Sequence, residues 1–262
     1  MLSKLTRQGT GSYVPPPPFE VNGFFNTGQS NSFGVNPGMP GVTGAILYWD
    51  SSIGNSPIST FWHSLHGTGV HLSHGIDRSF GEALLVGDNA RYSGHTFILN
   101  AAYGSTSYLD WLPGSDEFPA IEATIQSAMA LIAAQYPSNA TYHFREIRNL
   151  GQTDIRVNSQ AYQDGWAAAN ADWQSELATM VSAVFSAPHS WLQNMIVKTN
   201  PLTSGAVLLP TIPDQQLIAA GDTDHFIDAD DLGWEADHVH MTSQGYIDLG
   251  ERIGNRILTI DP

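Results

Sequence analysis

The sequence of 262 residues has 10 Lys and Arg residues against 25 Asp and Glu residues, and its formal net charge is −15. This charge repels phosphate backbones and anionic lipid surfaces, so we expect neither nucleic acid nor a membrane as a partner. The sequence has no cysteine, which excludes disulfides, thiolate nucleophiles and Cys-ligated zinc. The length is typical of a single α/β domain.

The chain begins with a polar, proline-rich segment. Residues 1–21 include four consecutive prolines, Pro15–Pro18, and we predict a flexible segment that is followed by one domain over residues 22–262. No apolar run follows the first positive charges, so we expect no signal peptide. No stretch reaches the roughly 20 apolar residues that a membrane-spanning helix needs. We therefore expect a soluble protein, and the sequence does not indicate its compartment.

Short apolar segments bounded by Gly or Asn predict strands that are buried on both faces. These segments are residues 23–28, 44–50, 95–104, 142–151 and 194–200. Helices are predicted over residues 117–136, over residues 159–185 and after an N-cap at Thr242, because apolar residues recur there at intervals of three and four. We expect Trp166 and Trp173 of the second helix to pack in the core. Strands that alternate with helices predict a three-layer α/β/α sandwich around a central parallel sheet.

Functional residues in an open parallel sheet lie mainly beyond the carboxyl ends of its strands. The first predicted strand runs into Ser30, and the last predicted helix is preceded by Asp237 and His240. A serine hydroxyl needs a base to become a nucleophile, and the base needs a group that orients it. Ser30, His240 and Asp237 supply these three groups. His238 is a rival base, but the spacing from Asp237 favours His240.

Acyl transfer also creates an oxyanion, which preorganised N–H donors must stabilise. The candidate donors are the Ser30 amide, the Gly104 amide and a side-chain amide after the fourth predicted strand. Glycine at position 104 allows the backbone to approach a ligand closely.

Four short blocks of this sequence resemble the motifs of SGNH (GDSL-like) hydrolases in their order and in their position after strands. The blocks are GQSN (28–31), NAAYGST (100–106), LGQTD (150–154) and DHVHMTSQGY (237–246). GQSN and GSTSYLDW (104–111) resemble most the branch that contains sialate O-acetylesterases and acetyl xylan esterases. The resemblance spans about residues 22–258, but only these blocks carry it.

This resemblance implies a flavodoxin-like fold, a Ser-His-Asp triad without a metal or cofactor, and removal of O-acetyl groups from sugars. By position, Ser30 would be the nucleophile, His240 the base, Asp237 its orienting acid and Gly104 an oxyanion donor. Further weak candidates for substrate contact are Gln29, Asn31, Trp62, His74, Tyr103 and Asp154.

Two positions depart from the resembled pattern. Ile76 replaces the proline of a Gly-Pro-Glu helix start, and Leu150 replaces the first glutamine of Gln-Gly-Glu-x-Asp. Leu150 cannot donate a hydrogen bond, so Gln152 is the candidate for the third oxyanion donor. Loss of one such donor costs roughly 3 to 4 kcal/mol of transition-state stabilisation, which would slow the reaction without abolishing it.

Two other segments have bland interpretations that we prefer. The histidine-rich residues 61–75 contain no Asp or Glu residue, whereas catalytic zinc sites often include a carboxylate ligand. We therefore expect a loop beside the acyl-binding cleft and not a zinc site. The acidic residues 221–231 lack the spacing of a calcium loop, and we expect a solvated loop.

Two alternatives to a carbohydrate O-acetylesterase stay open. One is a general short-chain esterase or lipase, which would prefer longer acyl chains. The other is a carbohydrate-binding or virion-associated structural module that has the same fold without turnover, with the proline-rich segment as its attachment.

Overall fold

The computed structural model describes residues 19–29, 76–93, 95–134, 136–200 and 211–261, together with the backbone of two short strands at 47–50 and 63–64. Residues 1–18 of the predicted flexible segment lie outside the described residues.

Eight strands form one sheet in the described part of the chain. They are β1 (Glu20–Gly28), β2 (Leu47–Asp50), β3 (His63–Ser64), β4 (Thr96–Asn100), β5 (Thr141–Asn149), β6 (His189–Trp191), β7 (Met195–Val197) and β8 (Phe226–Ile227). The sheet order is β3-β2-β4-β1-β5-β7-β8, and β6 pairs with the start of β5. β2 and β3 are antiparallel, whereas the other pairs are parallel.

The predicted flavodoxin-like arrangement is present in a subset of these strands. Counted by themselves along the chain, β1, β4, β5, β7 and β8 have the spatial order 2-1-3-4-5, which is the flavodoxin order. The predicted strand at residues 44–50 is β2, and it extends the sheet beyond β4. The sequence pattern missed β3, β6 and β8, because strands of two or three residues are too short to show a period.

The described helices are α1 (Ile76–Gly87), α2 (Asn89–Tyr92), α3 (Phe118–Ile132), α4 (Gln160–Asp164), α5 (Trp166–Val184), α6 (Thr211–Ala220) and α7 (Ser243–Ile260). The helix predicted over residues 159–185 is therefore two helices, α4 and α5, that meet at Gly165. Glycine is a poor helix former, and the Tyr108 hydroxyl packs 3.1 Å from the position that a Cβ atom at Gly165 would occupy.

Buried apolar side chains cover both faces of the sheet. Along β1, Val21 and Phe25 pack with α3 and α5, whereas Phe24 packs on the opposite face with α1 and α7. Successive side chains of a strand point to opposite faces, so one strand serves both layers. Trp166 and Trp173 are fully buried, which confirms their predicted core packing. The predicted α/β/α sandwich is confirmed as well.

The C-terminal helix α7 packs closely on α1. Its predicted N-cap, Thr242, accepts a hydrogen bond from the Gly245 N–H at 3.1 Å, and a cap of this kind stabilises a helix by about 1 kcal/mol. Gly250 permits the close approach, since a Cβ atom there would lie 2.0 Å from Ser79 Oγ. None of the helices in the described ranges is both long and apolar enough to cross a bilayer.

Candidate active site

Three segments that follow strands meet at one edge of the sheet. We call them the first block (residues 28–29, at the end of β1), the second block (residues 101–111, after β4) and the third block (residues 150–154, after β5). The Gln29 N–H donates to the Asn149 carbonyl at 3.1 Å, and the Tyr103 N–H donates to the Gly28 carbonyl at 2.7 Å. The strand order places the topological switch point between β1 and β5, where ligands bind in open α/β sheets.

The Gln29 side chain links all three blocks. It is buried, with 2% of its surface exposed, and its carboxamide contacts the Gln152 carboxamide. With its amide nitrogen facing the two neighbouring oxygens, it donates to Thr153 Oγ1 at 2.9 Å and to the Thr106 carbonyl at 3.0 Å. The surrounding hydrogen-bond network assigns this orientation. The residue next to Ser30 is therefore held by contacts from β4 and β5 segments, and it faces the interior of the protein.

Gln152, the candidate third oxyanion donor, is also buried. Its amide nitrogen donates to Asn149 Oδ1 at 3.2 Å, and its carboxamide contacts Gln29. Leu150 lies in the hydrophobic cluster that includes residues of α3 and α5. At this position the chain therefore has a buried core residue, whereas the resembled motif has a glutamine. The oxyanion role of Gln152 stays a prediction.

Gly104 lies in an exposed turn of the second block. Its neighbour Ser105 has a φ of 63°, in the left-handed region that non-glycine residues rarely adopt. Tyr103 is half-buried against the core cluster. The roles of Gly104 as an oxyanion donor and of Tyr103 as a substrate contact stay predictions.

The predicted acid and base lie on the segment between β8 and α7, residues 228–242, which we call the base loop. Trp234 and Met241 form an antiparallel bridge, and the Glu235 N–H donates to the His240 carbonyl at 2.8 Å. His238 turns the chain with a φ of 51°. This tight turn brings Asp237 next to His240.

Asp237 is bonded to the backbone and to the imidazole at once. Its Oδ1 accepts from the Val239 N–H at 2.8 Å and from the His240 N–H at 3.1 Å, and its Oδ2 lies 2.9 Å from His240 Nδ1. Burial alone would raise the pKa of Asp237, but the backbone N–H groups and the imidazole lower this pKa to about 2. The ionised carboxylate favours the proton on Nδ1, which leaves Nε2 as the basic nitrogen.

Ser30, the predicted nucleophile, lies outside the described residues, and so do Asn31, Trp62 and His74. Ser30 follows Gln29 directly in the chain, at the end of β1. The base loop follows β8, which is three strand positions from β1, about 14 Å at the usual spacing of strands. A triad therefore requires the base loop to approach β1 across β7 and β5. The roles of Ser30, Asn31, Trp62 and His74 stay predictions.

Asp154 was predicted as a substrate contact, and its side chain is fully buried. Its Oδ1 accepts from the Tyr162 hydroxyl at 2.8 Å and from the Tyr108 N–H at 3.1 Å. Burial raises the pKa of Asp154 to about 6, although both hydrogen bonds and the Arg148 charge oppose the rise. In this arrangement Asp154 faces the protein interior.

A buried charged pair lies under the third block and was missed from the sequence. Arg148 is sandwiched between the rings of Trp111 and Trp173, at 4.7 and 5.0 Å. Glu146 accepts from Arg148 at 3.4 Å, from Trp173 Nε1 at 2.5 Å and from the Thr27 hydroxyl. Both lie in β5, in a segment predicted to be a strand buried on both faces, and the presence of charged residues in such a strand was the available signal.

Across the residues that the structure describes, no group of three or more His, Asp or Glu side chains is arranged to hold a metal ion. Of the histidine-rich residues 61–75, only the β3 backbone lies among the described residues.

No family profile matches the chain, and no curated protein matches its sequence. Solved structures do match. A protein from Arabidopsis thaliana aligns over 93% of this chain and 99% of its own, with a TM-score of 0.60 and 15% identity. A carbohydrate acetylesterase from Xanthomonas citri aligns over 90% of this chain and 55% of its own, with a TM-score of 0.51 and 13% identity. At such identities the likeness concerns the fold alone, and it agrees with the α/β/α fold that the sequence predicted.

Proposed function

We propose that the protein is a serine esterase that removes O-acetyl groups from a carbohydrate. The observation that carries the proposal is the hydrogen bond between Asp237 and His240 on the base loop. The imidazole keeps 33% of its side-chain surface exposed, so a substrate can reach it. An oriented, accessible imidazole beside an ionised carboxylate is what a general base requires.

In the first half of the reaction, Ser30 Oγ attacks the acetyl carbonyl carbon while its proton passes to His240 Nε2. The oxyanion of the tetrahedral intermediate accepts hydrogen bonds from the Ser30 amide, the Gly104 amide and Gln152. Collapse breaks the ester bond, and the departing sugar oxygen takes the proton from the imidazolium. The acetyl group then remains on Ser30.

In the second half, a water molecule gives its proton to His240 Nε2 and attacks the acetyl-serine carbonyl. The second tetrahedral intermediate releases acetate and returns the proton to Ser30 Oγ. Asp237 stays ionised throughout and stabilises the imidazolium that forms twice in each cycle. The chemistry is complete without a metal or a redox cofactor.

A carbohydrate substrate is supported by three observations. The net charge of −15 suits neutral better than anionic substrates. The motif blocks resemble those of sugar O-acetylesterases. The Xanthomonas citri protein of the same fold is described as a carbohydrate acetylesterase.

The test combines labelling with product release. A serine-directed organophosphate should label the wild-type protein at Ser30 and leave Ser30→Ala unmodified. Acetate release is then measured on acetylated xylan, pectin, sialic acid and bacterial surface glycans, with Ser30→Ala as the blank. Full activity of Ser30→Ala would falsify the assignment.

Two further comparisons separate the alternatives. Faster turnover of an octanoyl than an acetyl aryl ester would replace the carbohydrate esterase with a lipase-like esterase. Binding of an acetylated glycan without labelling or acetate release would identify a non-catalytic module.

A further inference from the structure

Asp154 connects the second block to the third block, and we propose that it is a positioning residue for the oxyanion donors. Its carboxylate holds the segment that contains Gly104 against the segment that contains Gln152. The proposal rests on the proposed esterase function, because the donors matter only if an oxyanion forms.

The bond between Asp154 and Tyr108 joins two strands that are not neighbours. Tyr108 is four residues after Gly104 on the segment that follows β4, and Asp154 is two residues after Gln152 on the segment that follows β5. β1 lies between these strands and leads to Ser30. A single carboxylate oxygen therefore links the segments that follow the two strands on either side of β1.

The second block needs anchoring from outside itself. Ser105 adopts a left-handed φ of 63°, and such a conformation in a non-glycine residue persists only where surrounding contacts impose it. Several of the block's bonds are internal, such as the one from Trp111 Nε1 to Thr106 Oγ1 at 3.0 Å. The Tyr103 N–H bond to Gly28 holds its start. Beyond Ser105, the segment is held by the Gln29 bond to the Thr106 carbonyl and by the Asp154 bond to the Tyr108 N–H.

The same carboxylate oxygen also accepts from the Tyr162 hydroxyl at the start of α4. The Tyr162 and Tyr108 rings pack with centroids 4.8 Å apart, and the Tyr108 hydroxyl donates to the Tyr162 carbonyl at 2.9 Å. Tyr162 therefore gives the carboxylate a second hydrogen bond, from α4, in addition to the bond from the second block.

A carboxylate is a costly choice for this position. Asp154 Oδ2 is buried without a hydrogen-bond partner among the described residues. An ionised acceptor makes shorter and stronger hydrogen bonds than a neutral one. The ionised carboxylate therefore strengthens the two hydrogen bonds that Oδ1 accepts. Buried polar atoms without a hydrogen-bond partner are unfavourable, and such exceptions are found mainly at functional sites.

The experiment compares Asp154→Ala with Asp154→Asn and with Tyr162→Phe. Active sites are titrated with an organophosphate, and kcat and KM are measured for an acetyl aryl ester per titrated site. Asp154→Ala should lower kcat by about 10²-fold, the cost of a misplacement of roughly 1 Å, with KM nearly unchanged. Asp154→Asn can still accept both bonds and should recover most of that loss. Tyr162→Phe leaves the Tyr108 bond intact and should lower kcat by less than about threefold.

Hydrogen exchange provides a readout that does not depend on turnover. Backbone amides of residues 101–111 should exchange faster in Asp154→Ala than in Tyr162→Phe, while those of α7 stay unchanged. A wild-type protein without turnover would overturn the proposed function, and the exchange data would still test the anchor. The positioning role is overturned if Asp154→Ala keeps its kcat per site, or if amide exchange in the second block stays at the wild-type rate. Should Asp154→Ala fail to fold, the positioning role is overturned if Tyr162→Phe, which keeps the Tyr108 bond, loses more kcat per site and exchanges the second block faster than Asp154→Asn does.

Discussion

The strand-end blocks and the base loop hold their polar side chains by different means. Gln29 and Asp154 are buried, and their partners come from strands far apart in sequence. Asp237 and His240 are 45% and 33% exposed, and they are three residues apart on one turn. One half of the candidate site therefore depends on the packing of the whole sheet, whereas the other depends on a local turn. Changes at Asp237 and His240 should alter catalysis without altering stability, and changes in the blocks should alter both.

The largest effect is expected at His240. His240→Ala should lower kcat by roughly 10⁶-fold, since removal of a triad base costs about as much as removal of the whole triad. For the same reason the double variant with Ser30→Ala should be no slower than either single variant. The melting temperature should stay within about 2 °C, because the imidazole is partly exposed and contributes little packing.

The pH dependence of wild-type activity sharpens this prediction. A histidine base must be neutral to accept the serine proton, so kcat/KM should fall below about pH 6. Asp237 stays ionised through this range because its pKa is about 2. A flat activity profile from pH 7 to pH 4 is incompatible with His240 as the base.

Asp237→Asn should have the next largest effect. Its carboxamide no longer favours the proton on His240 Nδ1, and loss of the orienting carboxylate in a triad costs roughly 10⁴-fold in kcat. The backbone bonds to Oδ1 can persist, so the turn should keep its conformation. Steady-state kinetics at pH 7 and pH 9, together with circular dichroism, measure both effects. A variant within tenfold of wild type would remove Asp237 from the triad.

The difference between the two regions also explains what the sequence could predict. The spacing of Asp237 and His240 is a local signal, because their bond depends on one turn. The fates of Leu150 and Asp154 depend on contacts with α3, Tyr108 and Tyr162, which no local pattern encodes. The main strands and helices can be predicted from apolar periodicity. The pairing of β2 with the outer side of β4 depends on tertiary contacts, which periodicity does not predict.

Among the blocks, Asp154 should make stability depend on pH. Its folded-state pKa of about 6 lies above the ordinary value of 3.8, so the folded state binds the proton more tightly than the unfolded state. Its contribution to the unfolding free energy therefore decreases as the pH rises from 4 to 6, by about 3 kcal/mol in total. This loss should be absent from Asp154→Asn.

Urea denaturation of both proteins at pH 4, 5, 6 and 7 tests this dependence. The stability of Asp154→Asn relative to wild type should increase across the series, which cancels the opposite contributions of the other carboxylates. A difference that is constant with pH would show that Asp154 keeps an ordinary pKa when folded.

The smallest effect is expected at Asp231, which lies in the base loop but outside the local turn. Both of its oxygens accept from Arg252, at 2.7 and 2.9 Å, and the Arg252 hydrogen bond is the main cause that lowers its pKa. Its side chain is 71% exposed, and exposed ion pairs contribute between about 0 and 1 kcal/mol. Asp231→Asn should therefore change the unfolding free energy by less than about 1 kcal/mol. Because the hydrogen bond between Asp237 and His240 closes within its own turn, kcat should stay within about twofold of wild type. A large loss of kcat in Asp231→Asn, measured beside the Asp237 variant, would mean that the whole loop positions the base, and the contrast between a local turn and a packed sheet edge would no longer hold.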